Sequence, residues 1–358
     1  MHFRTFVATL AVASLSIVRP AGSPAPAAAT PCATATTNCT EFITLGGGPG
    51  RSMYYRTFSL DTKNDAVRRA LIMVHGTNRN ADHYFETATA AAFLAGALED
   101  TVVIAPHMID QSDKGETNEV VWESSWRTGG PSRTPAGLSS FDFVDEILRK
   151  LANKTTFPNM KAIVVAGHSA GGQFANRYEM SNKIHDTLGV PITYVVANPS
   201  SYAWPDAVRP LPQGDADPAK AKEGWDQPDA TPLPPHTDYT FGPFDTSKVP
   251  NFNRWPSGFE NRTGYNASLT DAQLKKQLVE RPTTYLLGQV DTLPLGGFDK
   301  SPTAMAQGPT RRSRGEAYFK YVTETLGAKH TIVIVPECGH NDRCMYTTNI
   351  VFPAIFPK

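Results

Sequence analysis

The rhythm of hydrophobic and polar positions changes near residue 70. Before it, residues 41–45 and 51–60 read as two strands joined by a turn at Gly46, Gly47, Gly48, Pro49 and Gly50. Beyond it, short apolar runs alternate with longer stretches of helical spacing. The runs are 70–74, 101–105, 161–166, 192–197, 283–287 and 331–335, and the helical stretches are 81–98, 140–151, 172–188 and 312–326. That alternation predicts βαβ units and a doubly wound, mostly parallel sheet, an α/β fold in one domain spanning residues 41–358.

One interval breaks the pattern. Residues 204–282 are dense in proline and aromatics, with only a short helical stretch at 271–279. So long an irregular segment inside a compact domain reads as a lid-like insertion over the site, with Trp225, Phe241, Phe244, Phe252 and Trp255 available to pack it, or else as a disordered loop.

Composition narrows the class. Lys and Arg number 34 and so do Asp and Glu, so the chain lacks the basic surplus of a nucleic-acid binder or a protein drawn to anionic membranes. Arg4 followed by an apolar run at 6–18 reads as a secretory signal within residues 1–23, too short to span a bilayer. Residues 24–40, rich in Pro, Ala and Thr, read as a flexible leader. Secretion suits the four cysteines, which fall into two close pairs, Cys32 with Cys39 and Cys338 with Cys344, although four cysteines allow three connectivities. It also suits four glycosylation sequons, at Asn38, Asn153, Asn261 and Asn266. Neither cysteine pair has C-x-x-C spacing and no H-E-x-x-H occurs, so no metal and no cofactor are expected.

The chemistry centres on Gly167, His168, Ser169, Ala170 and Gly171, a G-x-S-x-G sequence between an apolar run and a helical stretch. A strand-to-helix turn that tight needs glycines at its flanks and pushes the serine hydroxyl out above the sheet, close to a helix N-terminus. A serine hydroxyl needs a base, and the base needs an acid to orient it. Asp291 follows the apolar run at 283–287 and His340 follows the run at 331–335, both at carboxyl ends of expected strands. Asp206 and Asp299 are the alternative acids; His75, His168 and His330 are less well placed as bases. The Ala170 N–H and the loop His75, Gly76, Thr77 and Asn78 after the first parallel strand are the candidate oxyanion donors, with Thr77 as the second. Trp122 and Trp126 either form an aromatic substrate wall or anchor their loop.

With these residues in the order serine, aspartate, histidine, the chain resembles the α/β-hydrolase superfamily from about residue 70 to 357, and more loosely its secreted esterases and polyester depolymerases. The resemblance implies attack by Ser169, an acyl-enzyme, and hydrolysis by water with His340 as base and then acid. The expected substrate is a small or polymeric ester. An amidase, peptidase or lactonase would use the same triad, and a non-catalytic binding protein is the rival of another class.

Overall fold

A computed structural model of the chain describes residues 1–2, 29–212, 239–244, 246–247, 249–295 and 297–358. The expected signal run at 6–18, residues 24–28 of the leader and Trp225 lie outside these residues, whereas leader residues 29–40 are described: Cys32 N donates to Thr57 O at 2.7 Å and Thr37–Cys39 form a 3-10 turn, so this part is held against the body rather than flexible. Ten strands are present among them: β1 (Thr40–Thr44), β2 (Arg51–Arg56), β3 (Arg69–Val74), β4 (Thr101–Pro106), β5 (Ala162–His168), β6 (Ile192–Ala197), β7 (Val208–Pro212), β8 (Tyr239–Pro243), β9 (Thr283–Gly288) and β10 (Thr331–Val335). Eight of them form one sheet in the order β1-β2-β4-β3-β5-β6-β9-β10. β1 pairs with β2 and β2 with β4 antiparallel, while β4 through β10 run parallel. The fold is the α/β one expected, with the hairpin strands forming one edge.

The parallel strands are mainly apolar, most of all β3, β4, β5 and β6 at the centre, because helices cover both faces. Alternate residues of β3 divide between two cores. Ile72 and Val74 join Val102, Ile104 and Val165 beneath Phe143, Ile147 and Leu148 of α2 (Ser140–Ala152) and Phe174 of α3 (Ala170–Ser181). Leu71 and Met73 join Val103, Ala105 and Val164 against Phe85, Ala88, Ala91 and Ala92 of α1 (Ala81–Leu94). This period of two is what a pleated strand buried on both faces imposes.

Several boundaries differ from expectation. The helix expected over 81–98 stops at Leu94, where Gly96 takes φ +64°. The helix expected over 172–188 begins at Ala170, directly after the serine, and ends at Ser181. The remaining helices are α4 (Asp271–Glu280), the short α5 (Pro302–Met305), α6 (Arg311–Lys320), α7 (Asp342–Tyr346) and α8 (Phe352–Ile355). α6 runs on into a π-helical turn, Tyr321–Thr325, where a single helix is expected over 312–326.

The described part of the insertion is ordered against the body. β7 and β8 pair as an antiparallel ribbon, and Phe241 packs on Trp204 and Tyr321. Trp255 Nε1 donates to Thr128 O at 3.1 Å, and Arg209 Nη2 donates to Phe252 O and Ser257 O. Trp204, Tyr202, Phe259, Leu274, Leu278 and Tyr318 form a third core beside α3.

Candidate active site

β5 ends in a turn that only glycine permits. A Cβ on Gly167 would stand 2.1 Å from Gly171 O, one on Gly171 2.2 Å from Val74 O, and one on Gly172 2.3 Å from Ala197 O. With those side chains absent, α3 approaches β3 and β6 at backbone contact. Ser169 is left at φ 60°, ψ −117°, a conformation rare for a residue with a Cβ. Its N–H is held by Ala197 O at 3.0 Å and its carbonyl accepts from Gln173 N at 3.0 Å, so the strained residue is fixed from both sides.

Three strand ends converge on its hydroxyl. Ser169 Oγ lies 2.9 Å from His340 Nε2, and His340 Nδ1 lies 2.9 Å from Asp291 Oδ2. Asp291 leaves β9 and His340 leaves β10, so parallel pairing of these strands sets their separation. The two loops interlock: Val290 N donates to Cys338 O at 2.9 Å, and a Cβ on Gly288 would stand 2.5 Å from Cys338 O. Asn198, at φ 43° after β6, joins both, accepting from Gly288 N at 2.9 Å and donating to Gly339 O at 3.3 Å.

Asp291 is 2% exposed and meets a fully buried guanidinium, Arg311, whose Nη1 is 3.4 Å from Asp291 Oδ1 and whose Nε donates to Ser200 Oγ at 2.9 Å. Burial pulls the Arg311 pKa down and the Asp291 charge opposes it. Sequence spacing gave no sign of this partner, because nothing distinguishes Arg311 from Arg312 or Arg314 in one dimension. His168, inside the turn, packs its ring 4.6 Å from that of His340. Burial and then the His340 charge hold the His168 pKa well below the usual range, so it stands neutral beside the base.

The loop after β3 meets the serine. A Cβ on Gly76 would lie 3.7 Å from Ser169 Cβ and 2.7 Å from the Tyr84 hydroxyl. The Tyr84 hydroxyl is 3.0 Å from His168 Nδ1, tying this loop to the serine turn through α1. His75 is fully buried, with Nδ1 2.9 Å from Gly76 O and Nε2 accepting from Met108 N at 3.0 Å. Burial first, then the neighbouring His107, lowers its pKa to about 3, so it is a neutral structural histidine. The N–H groups of Thr77 and Ala170 have no hydrogen-bond acceptor among the described residues.

Trp122 and Trp126 do not form an open wall: each is 1% exposed. Trp122 stacks on Phe143 and donates to Leu138 O, while Trp126 meets His75 edge-on at 4.7 Å. They anchor the loop 107–139, and Trp126 packs against His75 at the start of the loop after β3. Of the alternative acids, Asp206 pairs with Lys275 and Tyr321 in the insertion, and Asp299 Oδ1 accepts from Ser301 N.

The sequence profile of the alpha/beta hydrolase family matches residues 71–349. The chain belongs to that family. Two solved structures with the hydrolase fold are similar to it. The poly(3-hydroxybutyrate) depolymerase LpqC of Bordetella parapertussis has 21% identity and a TM-score of 0.54, over 86% of this chain and 84% of that one. Poly(aspartic acid) hydrolase-1 of Sphingomonas sp. KT-1 has 20% identity and a TM-score of 0.50, over 86% and 94%. No curated protein matches the sequence.

In this hydrolase the cysteines pair as Cys32 with Cys39 and Cys338 with Cys344. The second bridge closes a short ring around His340, and Asp342 within that ring accepts from Thr87 and meets His83 on α1. Among the sequon asparagines, Asn38, Asn153 and Asn261 are exposed. Asn266 is not available: it is fully buried and its Nδ2, the atom a glycan would need, donates to Thr128 O at 3.3 Å. No helix among the described residues is long and apolar enough to cross a membrane.

Proposed function

We propose that the protein is a secreted serine hydrolase that cleaves carboxylic esters through an acyl-enzyme on Ser169. The observation that carries the reading is the unbroken chain from Ser169 Oγ through His340 to Asp291, with 2.9 Å at each step. In the attack step, Ser169 Oγ bonds to the ester carbonyl carbon as its proton passes to His340 Nε2. Asp291, holding Nδ1, stabilises the imidazolium, and Arg311 behind it keeps that carboxylate oriented. The oxyanion forms between the N–H groups of Ala170 and Thr77. The Thr77 N–H has no acceptor among the described residues, and Ala170 stands at the N-terminus of α3, where the helix dipole favours negative charge. His340 then returns its proton to the leaving alkoxide. Water, deprotonated by the same imidazole, attacks the acyl-enzyme and frees the acid.

The two disulfides support a protein made for an oxidising compartment. Asn38, Asn153 and Asn261 are the positions we propose for glycans. A series of p-nitrophenyl esters of increasing chain length, with a peptide and a lactone beside it, tests the reaction class. Ester turnover that disappears in Ser169→Ala is expected. Turnover of the peptide alone, or equal ester rates in wild type and Ser169→Ala, would overturn it.

A further inference from the structure

A cation without a counter-charge stands beside the oxyanion loop. Arg127 comes from the turn Glu123–Thr128 and is half-buried. Its Nη2 donates to Thr77 Oγ1, its Nε is buried with no acceptor, and it forms no ion pair with any described carboxylate. The charges that reach it are Arg79, which repels, and Asp299 and Asp110, which attract. Asp110 is committed to Arg79 at 2.9 Å. Asp299 is shared, attracting Arg127, Arg177, Arg311 and Arg314 alike, and it pairs closely with none of them among the described residues. Arg177 and Arg314 are themselves fully buried and hydrogen-bonded mainly to carbonyl, amide and hydroxyl groups. This wall therefore carries more guanidinium charge than carboxylate charge, although the chain as a whole is neutral.

Thr77 links Arg127 to the loop that faces the serine. Thr77 adjoins Gly76, which faces Ser169, and across from it a Cβ on Gly297 would lie 3.3 Å from Thr77 Cγ2. Gly297, beyond Asp291 in the chain, thus packs against the Thr77 side chain, and Thr77 holds a guanidinium whose buried Nε has no acceptor among the described residues. A guanidinium in that state is unfavourable until an anion supplies charge-assisted hydrogen bonds.

We infer that Arg127 binds a carboxylate of the substrate, so that the enzyme selects esters carrying a free carboxylate beyond a short alkyl stretch, as half-esters of dicarboxylic acids and the chain ends of hydroxy-acid oligomers do. This rests on the reading of Ser169 as an ester-cleaving nucleophile. It also gives Thr77 a second part: its hydroxyl orients the guanidinium while its N–H serves the oxyanion.

The test compares mono-p-nitrophenyl glutarate with p-nitrophenyl valerate, which matches it in chain length but lacks the carboxylate. In wild type, kcat/KM for the glutarate ester is expected to exceed that for the valerate ester by about tenfold or more, the range of a hydrogen bond to a charged group. The ratio should fall about tenfold in Arg127→Gln, be partly restored in Arg127→Lys, and shrink as salt is raised. A wild-type preference for the neutral ester, or the same ratio in wild type and Arg127→Gln, overturns the inference while leaving the esterase reading in place. Calorimetry of free glutarate with Ser169→Ala separates the two readings. Binding that is lost when Arg127→Gln is added, with neither ester turned over, would keep the anion site and remove the ester chemistry. No glutarate binding to Ser169→Ala counts against the anion site.

Discussion

Gly171 offers the sharpest test of how the serine turn works. In Gly171→Ala the new methyl would stand 2.2 Å from Val74 O and 2.7 Å from His75 O, both backbone atoms that cannot rotate away. Acceptable contact requires α3 and the end of β3 to separate by roughly 1 Å, and overpacking of that kind costs about 1–3 kcal/mol. Alanine in place of glycine in a helix returns about 1 kcal/mol, so the net loss of stability is modest, about 0–2 kcal/mol. The rate should suffer far more. The moved segment carries His75, Gly76 and Thr77, so the proposed Thr77 donor parts from Ser169 and Ala170, and a misplacement of about 1 Å can cost on the order of a hundredfold. Urea denaturation and kcat/KM on one preparation measure both effects. Gly189→Ala is the control: Gly189 has φ +65° but nothing within 4 Å of an added Cβ, so stability alone should fall. A Gly171→Ala enzyme that is destabilised yet works at the wild-type rate would refute the claim that close backbone contact at this turn sets the catalytic geometry.

Replacing Cys338 and Cys344 together by serine should lower stability by about 2 kcal/mol, from loop-closure entropy, and reduce kcat by loosening His340; unchanged melting temperature and rate would remove the bridge from the account. Asp145 is buried and bonded to the Tyr178 and Tyr265 hydroxyls, and burial, only partly offset by those bonds, raises its pKa to about 6. Its folded form thus holds a proton that the unfolded chain has released above about pH 4, so this group's contribution to stability is full at low pH and is lost as pH rises from about 4 to 6, by about 3 kcal/mol in all. Asp145→Asn should flatten that part of the stability profile, and an unaltered slope would contradict the assignment. Peptide mapping of protein from a glycosylating host should find glycans only among Asn38, Asn153 and Asn261; a glycan on Asn266 in folded protein would contradict its burial.

The serine turn and the parallel strands were legible because their constraints are local. Gly167 and Gly171 flank the serine two residues to either side, where the tight turn itself calls for glycine, and strands such as β3 and β5 are apolar over nearly their whole length because both faces are covered. The residues that meet at Ser169 could be read from chain order, since Asp291 and His340 each follow an apolar run. What escaped was whatever depends on sequence-distant packing. Arg311 touches Asp291 from 20 residues away on another element, and Arg127 reaches Thr77 from 50 residues away. The two tryptophans illustrate the same limit. A loop position after β4 left a substrate wall and a loop anchor open, and only tertiary packing, with Phe143 and His75 against Trp122 and Trp126, selects the anchor. Asn266 carries a sequon that tertiary packing withdraws, because a carbonyl from the turn 123–128 takes its amide.

The central claim, that Ser169 is a nucleophile activated by His340 and Asp291, is tested most directly by covalent labelling with a fluorophosphonate followed by peptide mapping. The account predicts a single phosphonylated residue, Ser169, with labelling much slowed in His340→Ala and Asp291→Asn and absent in Ser169→Ala. Folded wild-type protein that takes up no label, or label on another serine that persists in Ser169→Ala, would contradict it.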